Sequence, residues 1–569
     1  METTTPEEYR QSQESRTISR AIIVALGAMF FGYAVLRALR VSLTIDEAIT
    51  FNEYVSRGFG GLFRIDTANN HILNTLLTWL TTRIAGTGVF ALRLPNLASH
   101  ILYLVFSVRL LDRYLRGAAA VAGFVVLNAN PYVLEFFSLS RGYGISLGLL
   151  MASLYYLFRF MDELRSGEPL ASRTLAKALW TAGAAVLADM ALLFVFLAIA
   201  VLAFVIIAIQ SRAVRRTPRA VEPPLRTRRH PLLAAGLGVL ILLINGSNLL
   251  RWKGDGPYLV RLGERVLIVV LLFGLLGLAL RAAGRLGARL HLIAPGLSRV
   301  LLGGIWILAA FVAVPIYFLH SGEELYWGGK IGFFHDTLLG LIQDVLYGHS
   351  YMSGQEYVVF GLLAGVVILF LVAALINRPI RRFTSSGPAF ALLALILATW
   401  GFFMGERPFF GLPYLLGRTA IFFVPLAALS FIFALNSFQA HPRLRPAVIG
   451  ILAAAAMIVV VHFTLSANTS FASEWMPDAD NKAVISDLLA LRDKIGSPDR
   501  TVALAVRWQS YPALRYYVRQ ERLSWLKLGI IPGTEGCDAY YLDEAFDPRR
   551  MVLLKSYPLS GHILVTPQQ

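Results

Sequence analysis

Residues 43–73, LTIDEAITFNEYVSRGFGGLFRIDTANNHIL, follow the first long apolar segment of the chain directly. They begin with two adjacent carboxylates, Asp46 and Glu47. They end with three polar residues, Asn69, Asn70 and His71, just before apolar sequence resumes. Because an ionised carboxylate is costly in hydrocarbon, acids at the edge of a membrane are functional candidates by default. The stretch therefore predicts a site at the end of an apolar helix, provided that the chain is a membrane protein.

The composition is that of a polytopic membrane protein. Of the 569 residues, 56% are hydrophobic and 15% are charged, and the mean hydropathy is +0.61. Soluble domains carry roughly 25% charged residues. The net charge of +17 comes largely from Arg in short hydrophilic breaks, and no aromatic–basic motif for nucleic acid is present. The single cysteine, Cys537, excludes an intramolecular disulfide and a cysteine metal site.

About thirteen segments approach the ~20 apolar residues that a membrane-spanning helix needs. They centre near residues 30, 103, 124, 150, 180, 200, 240, 271, 309, 366, 395, 427 and 456. Residues 18–39 follow a polar tail, residues 1–17, and lack the form of a cleaved signal peptide, so we interpret them as a retained helix. The apolar stretch 72–84 is too short to span and predicts an interfacial or re-entrant helix.

The distribution of Arg predicts the orientation of these helices. If residues 1–17 lie in the cytoplasm, the even-numbered gaps between spans lie there too, and every one is rich in Arg. The odd-numbered gaps carry acids, aromatics and glycine, with scattered Arg. Cytoplasmic loops of membrane proteins carry an excess of Arg and Lys. The first loop, residues 43–90, is therefore expected outside the cytoplasm.

The composition becomes that of a soluble protein after the last apolar run. Residues 18–465 are therefore predicted to form an all-α membrane domain, and residues 466–569 a small α/β domain. An odd number of spans places this α/β domain outside the cytoplasm. The sequence DNKAVISDLLALRDKIG predicts an amphipathic helix, whereas TVALAV, a run near residues 510–518 and HILVT predict short strands.

The polar groups of the first loop have two interpretations each. Asp46 and Glu47 can serve a site, or they can be loop and capping residues, since Thr44 and Glu47 have the spacing of a capping box. The side chains at positions 69–71 can line a site, or they can cap the helix that follows. A lone His71 is weak evidence for a metal ligand, so a divalent metal stays open.

Further candidates lie in the other outer gaps. Arg141 and Tyr143 stand where the fourth predicted span begins, and Arg suits phosphate through its fork of donors. Both residue types also anchor helices at the membrane interface. Asp189, at a tight turn between two apolar runs, can be a second functional carboxylate or a turn residue. Three more basic residues on the outer side can neutralise a phosphate, namely Lys330, Arg407 and Arg418.

Four motifs resemble those of a known class of membrane enzymes. They are Asp-Glu in the first loop, N-N-H-x-L-N at residues 69–74, A-L-R-L-P-N-L at residues 91–97 and S-R-G-Y-G at residues 140–144. Together they resemble the GT-C superfamily of glycosyltransferases, and in particular glycosyltransferase family 39, the protein O-mannosyltransferase and aminoarabinose-transferase type. Residues 417–426, G-R-T-A-I-F-F-V-P-L, are similar to the family's R-Y-x-x-P segment, with Thr419 where Tyr is usual. The resemblance covers residues 18–465.

The resemblance implies a fold and a function. Family members transfer a sugar, with inversion, from a polyprenyl-phosphate carrier to an acceptor outside the cytoplasm. About thirteen helices with an outer C-terminal domain fit the bacterial members, which implies a bacterial inner membrane. A first-loop acid acts there as base or acceptor-binding group, a role that carries onto Asp46 with Glu47 as its neighbour. A second acid of the family could correspond to Asp189, and the acceptor stays open among lipid, glycan and protein.

The chemistry of the residues agrees with such a transfer. A carrier-linked sugar is already activated, and the sequence contains no P-loop or G-x-G-x-x-G fingerprint. A carboxylate such as Asp46 can take the proton of the attacking hydroxyl. Basic side chains can neutralise the departing phosphate, and the candidates are Arg141, Lys330, Arg407 and Arg418.

The alternative function is a transporter or flippase of a lipid-linked sugar, and a third is a non-catalytic scaffold. Transporters often show repeated halves and broken helices at matching positions near the bilayer midplane. The sequence shows neither feature clearly, and its acids fall at one membrane face. The identity of the sugar, the acceptor and the oligomeric state do not follow from the sequence.

Overall fold

The computed structural model describes residues 6–65, 67–166, 171–214, 295–325, 328–376, 387–440, 442–495, 501–531, 536–543 and 546–568, with isolated positions between 241 and 285. Most described residues are helical, and the strands lie near the C-terminus. The helices are α1 (Pro6–Arg40), α2 (Ile45–Ile49), α3 (Phe59–Leu62), α4 (Ile72–Ala85), α5 (Val89–Tyr114), α6 (Ala118–Asn128), α7 (Pro131–Phe136), α8 (Gly142–Ser166), α9 (Ala171–Ala188), α10 (Leu193–Val214), α11 (Pro295–Ser321), α12 (Gly340–Val345), α13 (Gln355–Ile376), α14 (Gly387–Phe410), α15 (Phe423–Ser437), α16 (Arg445–Ser466), α17 (Asn481–Ile495) and α18 (Tyr511–Gln520).

Seven described helices are long and apolar enough to cross a membrane. They are Arg16–Arg40, Val89–Tyr114, Gly142–Ser166, Met190–Ile209, Val300–Ser321, Gly387–Pro408 and Arg445–Ser466. The shorter apolar helices α6 and α15 accompany them. Helices occupy every predicted centre except those near 240 and 271, which fall outside the continuously described residues. The structure therefore confirms a helical membrane protein, and the predicted total of about thirteen spans is not confirmed.

The α8 helix is the most deeply buried of these spans. Small residues let it approach α5 closely, since Ser99 Oγ donates a hydrogen bond to the carbonyl of Gly144 at 2.9 Å. A Cβ atom on Gly148 would lie 2.3 Å from the same Ser99 Oγ. Close approach through small residues is how helices associate in hydrocarbon. The contact fixes the N-terminus of α8, where Arg141 stands.

The first loop folds as a series of short helical segments. Thr44 and Glu47 form the predicted capping box at the start of α2, with the Glu47 carboxylate accepting from the Thr44 N–H at 3.0 Å. A π-helix, Thr50–Val55, continues α2, and α4 forms where the short apolar helix is predicted. Because the cap fixes the first turn of α2, it also fixes the direction of the neighbouring Asp46 side chain.

The C-terminal domain contains a five-stranded mixed sheet with the order β2-β1-β3-β5-β4. Its strands are β1 (Val502–Val506), β2 (Leu526–Ile530), β3 (Ala539–Leu542), β4 (Met551–Tyr557) and β5 (His562–Pro567). The structure confirms the predicted helix as α17 and the predicted strands as β1 and β5. The strand predicted near residues 510–518 is wrong, because this run forms α18. Pro512 begins that helix, and its buried residues recur at helical rather than alternating spacing.

The first loop and the C-terminal domain lie on the same side of the helices. Leu43 and Ala48 of the loop share a hydrophobic core with Leu488 and Tyr517 of the domain. Tyr517 Oη also accepts a hydrogen bond from the Leu43 N–H at 2.8 Å. The first loop is therefore packed against folded structure. Which side of the membrane this is stays a prediction.

Candidate active site

The Glu47 carboxylate belongs to a buried ion pair beneath the first loop. Its two oxygens accept from Nη2 and Nε of Arg93 at 2.7 and 2.9 Å, and both side chains are fully buried. Burial alone would raise the pKa of the Glu47 carboxyl, but Arg93 and the N–H groups of Ser140 and Thr44 lower it. The Glu47 carboxylate is thus enclosed in a buried ion pair, whereas the sequence predicts a catalytic role for it.

The guanidinium of Arg93 also closes the C-terminal end of α1. Its Nη1 donates to the carbonyls of Val41 and Ala38 at 2.8 and 3.2 Å, and Nη2 donates to that of Ser42 at 2.9 Å. The last carbonyls of a helix have no partner within the helix and need one elsewhere. The buried pair therefore sets the path along which the chain leaves α1 and enters α2.

The Asp46 carboxylate lies between two guanidinium groups. Its Oδ2 is 3.5 Å from Nη2 of Arg141 and 3.3 Å from Nη2 of Arg418. The Asp46 and Arg418 side chains are 16% and 18% exposed, whereas Arg141 is 2% exposed. The three groups come from positions far apart in sequence. They form a partly accessible centre of one carboxylate and two cations at the ends of the apolar helices.

Arg141 is held in place by His71. Arg141 Nη2 lies 3.0 Å from Nε2 of His71, and Nδ1 of His71 lies 2.7 Å from the carbonyl of Ala188. Since the carbonyl needs a donor and the guanidinium is itself a donor, His71 carries its proton on Nδ1 and accepts at Nε2. Burial and the Arg141 charge lower the pKa of His71 well below its ordinary value. His71 is therefore neutral, and its lone pair is used by Arg141.

Two asparagines join the motifs on which the family resemblance depends. Asn96 Nδ2 donates to Asn74 Oδ1 at 3.0 Å, and Asn74 Nδ2 donates to the carbonyl of Ser140 at 3.1 Å. The Ser140 N–H in turn donates to Glu47 Oε1 at 2.6 Å. All these side chains are buried. The four motifs therefore meet in one hydrogen-bond network, which holds Arg141 beside Asp46.

Gly142 allows the close packing behind Arg141, and Gly142→Ala is expected to disrupt it. An added Cβ would lie 1.8 Å from the carbonyl of Ala188 and 2.5 Å from Nδ1 of His71. Overpacking of this kind costs typically about 1–3 kcal/mol. We expect a lower unfolding temperature in detergent. Gly401→Ala, where nothing lies within 4 Å, is the control; equal behaviour of the two variants would contradict this packing argument.

Asp189 lies behind the centre and makes no hydrogen bond to Asp46. Its Oδ1 caps a 3-10 turn by accepting from the Ala191 N–H at 3.2 Å. Its Oδ2 is buried without a hydrogen-bond partner among the described residues. Burial raises the pKa of Asp189 to about 7, against the lowering effects of the Ala191 N–H and Arg141. The turn interpretation is thus observed, and the buried Oδ2 keeps a functional role open to proposal.

Glu474 is a residue of the centre that the sequence analysis missed. Its Oε1 accepts from the Arg418 backbone N–H at 2.8 Å, and its Oε2 accepts from Arg418 Nη1. The hydroxyl of Tyr132 donates to the same Oε1, and the ring of Trp475 lies 4.8 Å from Arg418 Cζ. The available signal was the acidic–aromatic pair Glu474 and Trp475, which lies a short distance after the last span. The C-terminal segment therefore supplies a carboxylate to the centre.

The charges around Arg418 shift the pKa values of their neighbours. Burial alone would lower the pKa of Arg418, but Tyr143, Glu474 and Asp46 raise it. Asp344 also faces this group, and burial together with the Glu474 charge raises its pKa to about 7. Arg418 is thus firmly cationic, while Asp344 is partly protonated near neutral pH.

Of the remaining predicted residues of the first loop and α8, some contact the centre and one does not. Asn69 joins the centre, because its Nδ2 donates to the Asp46 carbonyl at 3.2 Å and its own carbonyl accepts from Arg141 at 3.3 Å. Tyr143 packs edge-on against the His71 ring at 5.0 Å. Asn70 instead bonds within its own loop and α4, with its Oδ1 accepting from Thr75 at 2.6 Å. Asn69 and Tyr143 therefore border the centre, and Asn70 shapes the loop.

Lys330 and Arg407 form a separate pair. Arg407 Nη2 donates to the Lys330 carbonyl at 3.1 Å, and Arg407 Cζ lies 4.7 Å from the centre of the Tyr414 ring. Lys330 is exposed. The described contacts of the pair do not include Asp46. Lys330 and Arg407 therefore do not join the centre through the described contacts.

A metal ion finds no ready set of ligands in the described part of the chain. No group of three or more His, Cys, Asp or Glu residues there is arranged to hold one. His71 does not fit as a ligand, because both ring nitrogens already have partners.

Comparison with known proteins returns solved structures only. No family model matches the chain, and no curated protein matches it. The chain is similar to ArnT from Cupriavidus metallidurans bound to undecaprenyl phosphate, at 13% identity and a TM-score of 0.39, covering 96% of this chain and 97% of ArnT. It is also similar to the Archaeoglobus fulgidus oligosaccharyltransferase in the apo form, at 14% identity and a TM-score of 0.44, covering 88% of this chain. The chain spans 63% of the length of that archaeal protein.

A third similarity is to the archaeal oligosaccharyltransferase AglB from the same organism, in complex with an inhibitory peptide and a dolichol-phosphate. Its identity is 14% and its TM-score 0.41, with 86% of this chain and 63% of that one covered. At these identities and TM-scores, the GT-C superfamily and family 39 both stay predictions for this chain. With identities and TM-scores this low, the function of this chain has to be argued from its own residues.

Proposed function

We propose that the chain is an inverting glycosyltransferase that moves a sugar from a polyprenyl-phosphate carrier to an acceptor hydroxyl outside the cytoplasm. Asp46 is the general base, and Arg141 and Arg418 bind the carrier phosphate. The observation that carries the proposal is the position of the Asp46 carboxylate, 3.3–3.5 Å from both guanidinium groups. A base and a phosphate-binding pair side by side are what this reaction requires.

The proposed step is a single displacement at the anomeric carbon. The acceptor oxygen attacks C1 opposite the phosphate, the C1–O bond breaks, and its electron pair stays on the phosphate oxygen. Asp46 takes the proton of the acceptor hydroxyl as the bond forms. Arg141 and Arg418 stabilise the charge that develops on the phosphate, and Arg suits phosphate through paired N–H donors. Asp46 occupies those donors until a phosphate replaces it.

The other predicted residues take supporting roles in this proposal. Glu47 positions the helix that carries Asp46, and His71 and Asn69 hold Arg141. Asp189, with one buried unpaired oxygen, is a candidate to bind a sugar hydroxyl. Lys330 and Arg407 are left as candidates for contact with lipid headgroups or the acceptor.

The position of the centre favours a transferase over a transporter. Asp46 follows the end of α1, Arg141 precedes α8 and Arg418 follows α14. The charged groups thus meet at one membrane edge, whereas the substrate sites of transporters lie near the bilayer midplane. This observation supports transfer to an acceptor at that surface.

The test is binding of undecaprenyl phosphate by the purified protein, measured by native mass spectrometry, with undecaprenol as the ligand lacking phosphate. Hydrogen bonds to charged groups contribute about 1.5–3 kcal/mol, so Arg418→Gln and Arg141→Gln are each expected to weaken binding by about 10–100-fold. Neither variant should alter undecaprenol binding. Arg549→Gln, an exposed residue of the C-terminal domain, is the control.

A transfer assay completes this test. Wild-type protein is supplied with a panel of undecaprenyl-phosphate sugars together with lipid, glycan and peptide acceptors that carry free hydroxyls, and the release of undecaprenyl phosphate is followed. We expect release from at least one donor, dependent on both arginines. Phosphate-lipid binding that is indifferent to Arg141 and Arg418, or wild-type protein that releases no carrier from any donor, would contradict the proposed function.

A further inference from the structure

The 3-10 segment Ser473–Asp478 lies at the start of the C-terminal domain, between α16 and α17, and it contacts both Arg418 and the backbone before Asp46. At its start, the Ser473 N–H and Oγ each donate to Glu135 Oε1 at 3.0 Å. Glu135 forms a fully buried ion pair with Arg37 of α1 at 2.9 Å. The segment is therefore anchored to buried charges of the membrane domain before it reaches the centre.

The second residue of the segment holds the phosphate-binding arginine. Glu474 accepts from both the backbone N–H and the guanidinium of Arg418, and Tyr132 donates to the same carboxylate. The Trp475 ring covers the guanidinium on a further side. Charge-assisted bonds from one carboxylate to two donors of a residue restrict its rotation strongly. Arg418 is thus directed towards Asp46 by groups outside the membrane helices.

The last residue of the segment holds the helix that carries Asp46. Asp478 Oδ2 accepts from the Ile45 N–H at 2.7 Å, and Asp478 Oδ1 accepts from Asn481 at 2.9 Å. Asp478 is 5% exposed. Next to it, Ser42 Oγ donates to the carbonyl of Ala479 at 2.5 Å. Ile45 is the residue before Asp46, so Asp478 fixes the backbone from which that carboxylate projects.

We propose that Ser473–Asp478 is a positioning segment that sets the distance between the base and the phosphate-binding group, with Glu474 and Asp478 as its two positioning residues. The segment carries Glu474 near one end and Asp478 at the other, so a short stretch of backbone, kinked at Trp475, links both positions. The C-terminal domain packs on the same α2, and its Asn481 donates a hydrogen bond to Asp478. The inference rests on the proposed function, because it assigns roles relative to Asp46 and Arg418.

Substitutions at the two ends of the segment are expected to affect different kinetic parameters. Glu474→Gln removes the charge that directs Arg418, so it is expected to raise KM for the lipid-linked donor and weaken undecaprenyl phosphate binding by about tenfold. Asp478→Ala releases the backbone at Ile45, so it is expected to lower kcat at least tenfold with little change in KM. Asp478→Asn keeps an acceptor for that N–H and is expected to recover most of kcat.

If Glu474 and Asp478 had a purely structural role, their substitutions would not affect KM in one case and kcat in the other. Asp487→Asn serves as the control, because Asp487 pairs with Lys555 and Tyr557 within the C-terminal domain and not with the centre. Asp487→Asn should change the unfolding temperature without a selective change in either KM or kcat. If Glu474→Gln does not fold, Tyr132→Phe removes only one donor to Glu474 and should shift KM in the same direction.

The outcomes separate this inference from the proposed function. If wild-type protein transfers sugar and both Glu474→Gln and Asp478→Ala behave like Asp487→Asn, the positioning role is wrong and the function stands. If wild-type protein binds undecaprenyl phosphate but transfers no sugar, the proposed function fails. In that case the inference is judged by binding alone, with loss in Glu474→Gln supporting it and no loss overturning it.

Discussion

Asp46→Asn is expected to slow sugar transfer by about 10²–10⁴-fold, the usual contribution of a positioned general base. Asparagine has nearly the same shape as aspartate but cannot accept the proton of an attacking hydroxyl. The effect should appear in kcat, because proton transfer belongs to the transition state. The measurement is the rate of undecaprenyl phosphate release by purified protein at saturating donor.

The same substitution is expected to leave the site assembled. The bonds that fix residue 46 from Thr50 and Asn69 go to its backbone carbonyl, at 2.9 and 3.2 Å, and not to its carboxylate. Removing the charge also frees Arg141 and Arg418 from a competitor, so binding of undecaprenyl phosphate should be unchanged or tighter. Retained binding with lost turnover would separate a base from a merely structural acid.

Glu53→Gln is the matched control for Asp46→Asn. Glu53 is a carboxylate of the same loop, 36% exposed, and it pairs with Arg57 and Arg515 at the surface. Exposed ion pairs contribute roughly 0–1 kcal/mol, so this variant should keep full activity. Turnover by Asp46→Asn equal to that of Glu53→Gln would show that another group takes the proton.

The sequence was sufficient for those parts of the site that obey local rules. The cost of a carboxylate at the membrane edge indicated Asp46, and the suitability of Arg for phosphate indicated Arg141 and Arg418. The structure brings these three residues together. The capping box at Thr44 follows from four consecutive residues. These inferences did not need knowledge of the tertiary fold.

The errors and omissions concern partners that are distant in sequence. Glu474 and Arg418 meet only because the chain returns to the membrane surface after α16, which no local pattern reveals. The sequence predicts Glu47 as a catalytic neighbour of Asp46, whereas its burial depends on Arg93, a residue near the start of a different helix. The sequence leaves His71 open as a metal ligand, whereas in the structure its two ring nitrogens contact Ala188 and Arg141.

The buried ion pair leads to the second large prediction, that Arg93→Met destabilises the protein by about 3–5 kcal/mol. The substitution keeps much of the side-chain volume but leaves the Glu47 carboxylate buried without its counter-charge. It also removes the donors to the carbonyls at the end of α1. We expect the loss in the free energy of unfolding, measured by SDS titration in mixed micelles. Arg113→Met, which breaks a partly exposed pair with Asp162, should lose roughly 0–1 kcal/mol.

The double variant Arg93→Met with Glu47→Met distinguishes a simple charge pair from a structural hub. Replacing both members of a buried pair by apolar residues is often neutral or stabilising, because both charges escape desolvation. Here the two side chains also satisfy the carbonyls of Val41 and Ser42 and the N–H of Ser140. Those groups would remain buried without partners, at about 1–3 kcal/mol each. We therefore expect the double variant to stay destabilised; recovery to wild-type stability would mean that the backbone bonds are dispensable and that the pair matters only for its charge.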